Sequence, residues 1–174
     1  QHRILEWNPG AESLFGYSRQ ETLGRKIDEL ITGANAQVFD EATRWTRQIQ
    51  SRKGIPPTET VRYRKDGSPV DVVVSAAPIF TGNEWVGAVA TYSDITQRKR
   101  AQQAQAAVYR IYEAAQTAQN LDELYSSIHA IIGELMPAKN FYIALYDKSA
   151  DLVHFPYYVD EHDPLPPPRP LGGG

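Results

Sequence analysis

Four stretches in the first part of the chain alternate between apolar and polar residues with a period of two. Such alternation predicts strands that bury one of their faces. Asp66-Gly67, between two of these stretches, is typical of a tight hairpin turn. In the first stretch, Ile4 falls on one face and Leu5 and Trp7 fall on the other. The predicted strands are residues 3–7, 58–65, 70–80 and 85–95.

Between the first and second predicted strands, apolar residues recur at the helical spacing of three and four. Asn8-Pro9 joins a favoured N-cap to a favoured first helical residue, and Ser18 and Glu21 have the spacing of a capping box. We therefore expect short helices here, followed by a longer helix at residues 37–51. Helices followed by an antiparallel meander of strands indicate an α+β fold.

The composition then changes to Gln, Ala and Arg, which are strong helix formers. Small apolar residues step by three and four over residues 97–119, which predicts a helix with a coiled-coil seam. A second helix is expected at 121–136, and strands at 141–147 and 152–160 follow it. Residues 163–174 are expected to form a loop. The seam consists of Ala101, Ala104, Val108, Ile111, Ala115 and Ala118.

Several groups of residues in the first part resemble the sequence motifs of PAS domains. They are Asn8–Glu12 with Leu14–Tyr17, Arg64–Ser68, Ala76–Ile79 and Asp94–Thr96. The last group is similar to the Asp-Ile-Thr junction that ends the PAC motif of many PAS domains and opens a signalling helix. The resemblance therefore implies a PAS domain over residues 1–96, with a C-terminal PAC motif.

The resemblance also implies a five-stranded antiparallel sheet whose first strand lies between the second and the last. The opening residues match the second strand, so we expect the first strand to be missing. Its loss would leave unpaired edges at Ile4–Trp7 and Val86–Tyr92, whose backbone groups need partners. We expect these strands to pair directly, to borrow a strand or to be only marginally stable. The lack of an initiator Met and the terminal glycines lead us to expect a piece of a longer protein.

The second part resembles the N-terminal part of a GAF domain, over residues 120–174. The motifs are the helix at 121–136, the strand Phe141–Asp147 and the tail Leu171–Gly174. Residues 97–119 are then a signalling helix that links the two domains. The fold class expected for the whole chain is α+β: an antiparallel-sheet PAS domain, a linking helix and a partial α/β GAF domain.

Composition and charge exclude several classes of function. The formal net charge of −3 argues against a nucleic-acid partner, and Arg98-Lys99-Arg100 is interpreted as a solvated helix start. The absence of cysteine excludes disulfides, thiolate catalysis and a Cys–flavin adduct. The sequence has no apolar run of about 20 residues, the length needed to span a bilayer. We therefore expect a cytoplasmic segment, whose parent protein could still be anchored in a membrane.

Cofactor and metal chemistry receives little support from the residues. Some relatives of the resembled family bind flavin or haem, but residues 37–51 hold no His for haem, and no cofactor is expected. His154, Glu161, His162 and Asp163 have metal-ligand side chains without a repeated spacing, so they are interpreted as a solvated loop. The prolines that follow His162 exclude the helix on which a phosphoacceptor histidine would sit. Nothing in the sequence indicates catalysis.

The function implied by the resemblance is a non-catalytic sensory and relay module of a bacterial signal-transduction protein. Asp94, Ile95 and Thr96 would form the junction that passes a change in the PAS sheet to the linking helix. The expected partners are a second copy, paired through that helix, and a small molecule in the PAS cavity. The missing output domain would be a histidine kinase or a diguanylate cyclase. Candidate lining residues of the cavity are Leu30, Phe39, Trp45, Tyr63, Val72, Val74 and Tyr92.

Two alternatives remain open from the sequence. In the first, the chain is a ligand-free dimerisation and spacer element whose PAS core is filled by its own aromatic side chains. In the second, it is a redox or light sensor that holds flavin or haem without a covalent bond.

Overall fold

The structure is a computed structural model that describes residues 3–170. The chain divides into two compact units, Gln1–Lys99 and Arg100–Gly174, which are described separately below. The tail Leu171–Gly174, used above for the GAF resemblance, lies outside the described residues.

Four helices open the first unit, and side-chain caps explain where they begin. They are α1 (Pro9–Phe15), α2 (Arg19–Thr22), α3 (Ile27–Leu30) and α4 (Ala36–Gln50). The Asn8 side chain accepts a hydrogen bond from the Ala11 amide at 2.8 Å, and Ser18 with Glu21 forms the expected capping box. Asn35 accepts from two amides at the start of α4, the one long helix of this group. Local sequence thus determines these helix starts.

A three-stranded antiparallel sheet follows, in the order β1-β2-β3. Its strands are β1 (Ile55–Tyr63), β2 (Pro69–Thr81) and β3 (Glu84–Asp94). Gly67, in the turn between the first two, has φ +81°, a left-handed conformation that glycine adopts without strain. β1 begins earlier than expected and includes Pro56 and Pro57, which an edge strand tolerates because one side of its backbone needs no partner.

The core of the first unit lies between the helices and one face of the sheet. Phe15 is fully buried and its ring meets the Tyr92 ring edge-on at 5.2 Å between centroids. From β2, alternate residues point inward, as the period of two predicts. The core consists of Trp7, Phe15, Leu30, Ile31, Val70, Val72 and Val74.

Residues 3–7 do not form the predicted strand. The amide of Ile4 donates to the carbonyl of Arg25, and the amide of Gly24 donates to the carbonyl of Ile4, both at 2.9 Å. These partners lie in a loop, so no ladder develops. Leu5 and Trp7 do not share a face either, because Leu5 is 75% exposed and Trp7 only 5%. Within the described residues β3 pairs with β2 alone, which leaves its other edge unpaired.

The second unit is built from two helices and a small antiparallel sheet. Helix α5 (Thr96–Thr117) begins in the first unit, and α6 (Leu121–Leu135) follows. The sheet contains β4 (Phe141–Asp147), β5 (Leu152–Val159) and β6 (Arg169–Pro170), in that order. The expectation of a loop throughout residues 163–174 was wrong at β6, where two residues pair with Leu152 and Val153. Periodicity cannot reveal so short a strand.

Candidate functional site

The first unit contains a cavity of about 1360 Å³ between α4 and the inner face of the sheet. Its floor carries small side chains, because Ala76 lies opposite Ala90 across β2 and β3, and Ala88 follows on the same face. Trp45 and Ile49 of α4 form the facing wall. Ligand pockets usually measure about 300–1000 Å³, so this cavity is large.

The cavity extends to the unpaired edge of β3. All residues from Trp85 to Tyr92 line it, and so do Arg3–Asn8. Consecutive residues of a strand point to opposite faces, so only a cavity that reaches the strand's edge can be lined by all of them. The direct pairing between residues 3–7 and β3 that the sequence left open therefore does not occur.

A buried cation borders the cavity. Arg62 points inward from β1 and is only 1% exposed. Its Nη1 donates to Glu41 Oε1 at 2.8 Å, to Thr60 Oγ1 at 3.0 Å and to the carbonyl of Val61 at 2.8 Å. The guanidinium also lies 5.0 Å from the centre of the Trp45 ring. Burial of a charge is costly without partners, and Glu41 supplies the opposite charge.

Tyr92, on the floor of the cavity, is half-buried and packs its ring against that of Phe15. Burial raises the pKa of its hydroxyl to about 12, the nearby Arg62 charge opposes that rise, and the Asp28 charge adds to it. Asp28 in turn accepts a hydrogen bond from the Thr46 hydroxyl at 3.0 Å. Aromatic rings and a few fixed polar groups are the usual surroundings of a bound small molecule.

The predicted lining residues are only partly brought together. Trp45, Val74 and Tyr92 line the cavity. Leu30 and Val72 instead belong to the packed core. The remaining two residues lie apart from the cavity. Phe39 is 42% exposed, and the Tyr63 hydroxyl accepts a hydrogen bond from the Asn35 side chain at 3.2 Å.

The predicted junction residues lie where β3 ends and α5 begins. Asp94 Oδ1 accepts a hydrogen bond from the Thr96 amide at 2.8 Å, and Oδ2 meets Arg64 Nη2 at 3.1 Å. Hydrogen bonding from Thr96, followed by the Arg64 charge, holds the pKa of Asp94 below its usual range. Arg64 also donates to the carbonyl of Leu14 at the end of α1. Ile95 is buried and its amide donates to the carbonyl of Asp71 at 2.9 Å.

The sequence did not predict that Arg62 borders this site. A charged residue in an alternating strand is ordinarily assigned to the solvent face. The register places Arg62 opposite Val70 and Thr60 opposite Val72, so both lie on the face that packs inward. The sequence held one indication of this burial: in a hairpin closed at Asp66-Gly67, the even-numbered residues of β1 pair with the even-numbered valines of β2, Val70 and Val72.

In the second unit, His129 has a structural role that the sequence did not indicate. Its Nε2 donates to the carbonyl of Ala138 at 2.6 Å, and its Nδ1 accepts from the Tyr157 hydroxyl at 3.0 Å. Its ring stacks on Phe141 with 4.7 Å between centroids. The side chain therefore ties α6 to both long strands of this unit.

Residues 3–170 contain no group of three or more His, Cys, Asp or Glu side chains arranged to hold a metal ion. None of the helices in this part of the chain is long and apolar enough to cross a membrane.

Comparisons with known proteins identify the first unit. The family model described as "PAS domain" matches residues 1–97. The chain is 33% identical over 99 residues to two-component system protein A of Emericella nidulans. That match covers 57% of this chain and only 14% of the relative.

Among solved structures, a PAS domain from Colwellia psychrerythraea is 25% identical with a TM-score of 0.47, covering 55% of this chain and 80% of that one. The LOV domain of a blue-light activated histidine kinase from Erythrobacter litoralis is 19% identical with a TM-score of 0.44, covering 53% and 84%. The family model alone spans more than half of the chain, and PAS domains are sensory, non-catalytic parts of signal-transduction proteins. The chain therefore belongs to the PAS domain family.

Proposed function

We propose that the chain is a sensory and relay module in which the state of the PAS cavity sets the position of α5. The observation that supports this most strongly is that Asp94 contacts both the cavity and the helix. Its side chain belongs to the wall of the cavity and also holds the first amide of α5. A change in cavity contents that moves β3 would therefore act directly on the start of the helix.

β3 supplies a short route for this coupling. Ala90 and Tyr92 line the cavity, and Asp94 follows them two residues further along the strand. A strand held on one side only, as β3 is among the described residues, has fewer hydrogen bonds opposing its displacement. Arg64 ties the same carboxylate to the end of α1, so a movement of β3 is also felt by the helical layer.

We propose that two copies pair through α5 and pass the change to the second unit, a partial GAF domain. Val108 of the seam is 68% exposed, and Tyr112, one turn further along the helix, is 61% exposed. Large apolar side chains at this spacing are what a helix partner would cover. In a longer parent protein, the output would be a histidine kinase, with a diguanylate cyclase as the second candidate.

Native mass spectrometry of the purified chain tests the proposal. The expected result is a dimer that retains one small molecule per copy. Ala90→Trp, which places a large ring on the cavity floor, should lose the small molecule. Ala77→Trp is the matched control, because Ala77 lies on β2 with its side chain on the opposite face of the sheet.

Each outcome has a defined meaning. A colourless, empty dimer would favour the ligand-free spacer, and a coloured protein that releases flavin or haem would favour the redox or light sensor. A monomer at all concentrations measured would contradict pairing through α5. Loss of the small molecule from both tryptophan variants would show that it binds elsewhere.

A further inference from the structure

Two ion pairs tie the first turn of α5 to the outer face of the sheet. Arg98 Nη2 lies 2.6 Å from Glu59 Oε1 of β1, and Lys99 Nζ lies 2.7 Å from Asp71 Oδ1 of β2. Lys99 also approaches Glu59 Oε2 at 4.0 Å. Arg98 and Lys99 belong to the solvated start of the helix, and the ends of their side chains also contact carboxylates of the sheet.

The two acidic residues form a like-charged pair on neighbouring strands. In the register of β1 and β2, Glu59 lies opposite Val73 and Asp71 lies opposite Val61. Glu59 and Asp71 are thus diagonal neighbours on the same face of the sheet. Residues at such positions lie about 7–8 Å apart. Like charges at this distance repel each other unless a cation lies between them. Lys99 is that cation.

The basic residues are unfavourable for the helix on its own. The first turn of α5 carries no acidic residue, and its cations lie at the end of the helix where the dipole is positive. Their contacts with the sheet offset this cost. The first turn is therefore more stable on the sheet than it would be when detached.

We infer that Glu59, Asp71, Arg98 and Lys99 form an electrostatic latch that sets how firmly the first turn of α5 is held on the sheet. The latch is a positioning device and rests on the proposed relay, since it supplies the element that the relay shifts. Asp71 also accepts the Ile95 amide, so a displacement of β2 acts on the latch through both its backbone and its side chain. Exposed pairs of this kind are individually weak, which allows the latch to open.

Hydrogen–deuterium exchange of the first turn of α5 tests the latch in the unmodified chain and in two variants. The amide of Lys99 donates to the carbonyl of Ile95 at 2.9 Å and reports on the turn. Lys99→Glu replaces the bridging cation with a third carboxylate. We expect the amides of the first turn of α5 to exchange about tenfold faster in this variant than in the unmodified chain. Asp71→Lys in that background should return exchange towards the original rate.

Arg100→Glu is the matched control. The structure describes no ion pair for Arg100 among residues 3–170, so this variant changes only the interaction with the helix dipole. Exchange should be unchanged or slower, because an acidic residue is favourable at a helix start. Slower exchange in both glutamate variants would overturn the latch. So would exchange in the unmodified chain that does not accelerate between low salt and about 1 M salt, where charges are screened within about 3 Å.

These results are independent of any ligand or output. If Lys99→Glu and salt accelerate exchange as expected but Ala90→Trp leaves exchange of the first turn unchanged, the latch is supported and the relay is contradicted. If the salt and variant effects are both absent, the latch fails whatever the cavity binds.

Discussion

Removal of the Glu41 carboxylate should strongly destabilise the first unit, because it leaves the Arg62 charge buried. The Arg62 side chain is 1% exposed and that of Glu41 is 30% exposed. Loss of one partner from a buried pair costs about 3–5 kcal/mol. Two contacts from Thr60 and Val61 remain, so we expect a cost of about 2–3 kcal/mol for Glu41→Ala.

Arg62→Met should cost less than Glu41→Ala. This change removes the buried charge itself, and the Glu41 carboxylate is exposed enough to be hydrated. Replacement of buried ions by apolar side chains of similar size is often close to neutral, so we expect a cost below about 1 kcal/mol. The double variant should resemble Arg62→Met, because Glu41 has no buried charge left to neutralise.

Urea unfolding followed by tryptophan fluorescence measures these differences. All three tryptophans, Trp7, Trp45 and Trp85, lie in the first unit, so the signal reports on that unit alone. With a slope of about 1–2 kcal/mol per M, Glu41→Ala should lower the midpoint by about 1–3 M.

Glu29→Ala is the control for loss of a carboxylate. It breaks only an exposed pair with Lys26, so the unfolding midpoint should stay almost unchanged. If Glu41→Ala costs no more than this control, or if Arg62→Met is the more destabilising of the two variants, the buried Arg62 charge does not depend on Glu41.

Two further predictions use the same fluorescence signal. Gly33→Ala should destabilise by about 2–4 kcal/mol, because Gly33 has φ +58° and a Cβ there would lie 2.8 Å from the Tyr63 ring. Gly82→Ala, at φ +62° in open space, should cost only about 1 kcal/mol. Asp94→Asn should destabilise at neutral pH, and the difference from the unmodified chain should vanish in acid. A pKa held low in the folded state stabilises above the unfolded value of about 3.9, and that contribution is lost as the pH falls through the folded pKa.

Each of these predictions has a clear contrary outcome. Equal costs for the two glycine variants would mean that Tyr63 moves aside without penalty. An Asp94→Asn effect that persists unchanged at pH values well below the folded pKa would mean that the carboxylate charge does not stabilise the junction.

Local signals in the sequence were sufficient for most elements of the first unit. Asn8 and the Ser18–Glu21 box define helix starts through contacts within four residues, and Asp66-Gly67 forms a turn through its own backbone preference. These features depend on neighbours along the chain. They therefore need no knowledge of the tertiary fold.

The elements that could not be predicted depend on distant partners. The alternation at residues 3–7 predicts a strand, but a strand also needs a neighbour, and the backbone of Ile4 pairs with a loop. Burial of Arg62 depends on a carboxylate from α4, and the Lys99 contact depends on the register of β1 and β2. Of the cavity, the sequence identified Trp45, Val74 and Tyr92 but missed its alanine floor, since small residues are not recognisable as lining until facing elements are known.

In the proposed relay, the state of the cavity controls the start of α5. The most direct measurement compares hydrogen–deuterium exchange of residues 95–104 in the unmodified chain, in Ala90→Trp and in Ala77→Trp. Ala90→Trp alters the cavity floor four residues before Asp94 on β3, whereas Ala77→Trp alters the opposite face of the sheet. We expect a severalfold change in exchange at the first turn of α5 for Ala90→Trp only. Identical exchange in all three proteins, with Ala90→Trp folded by its fluorescence, would contradict it.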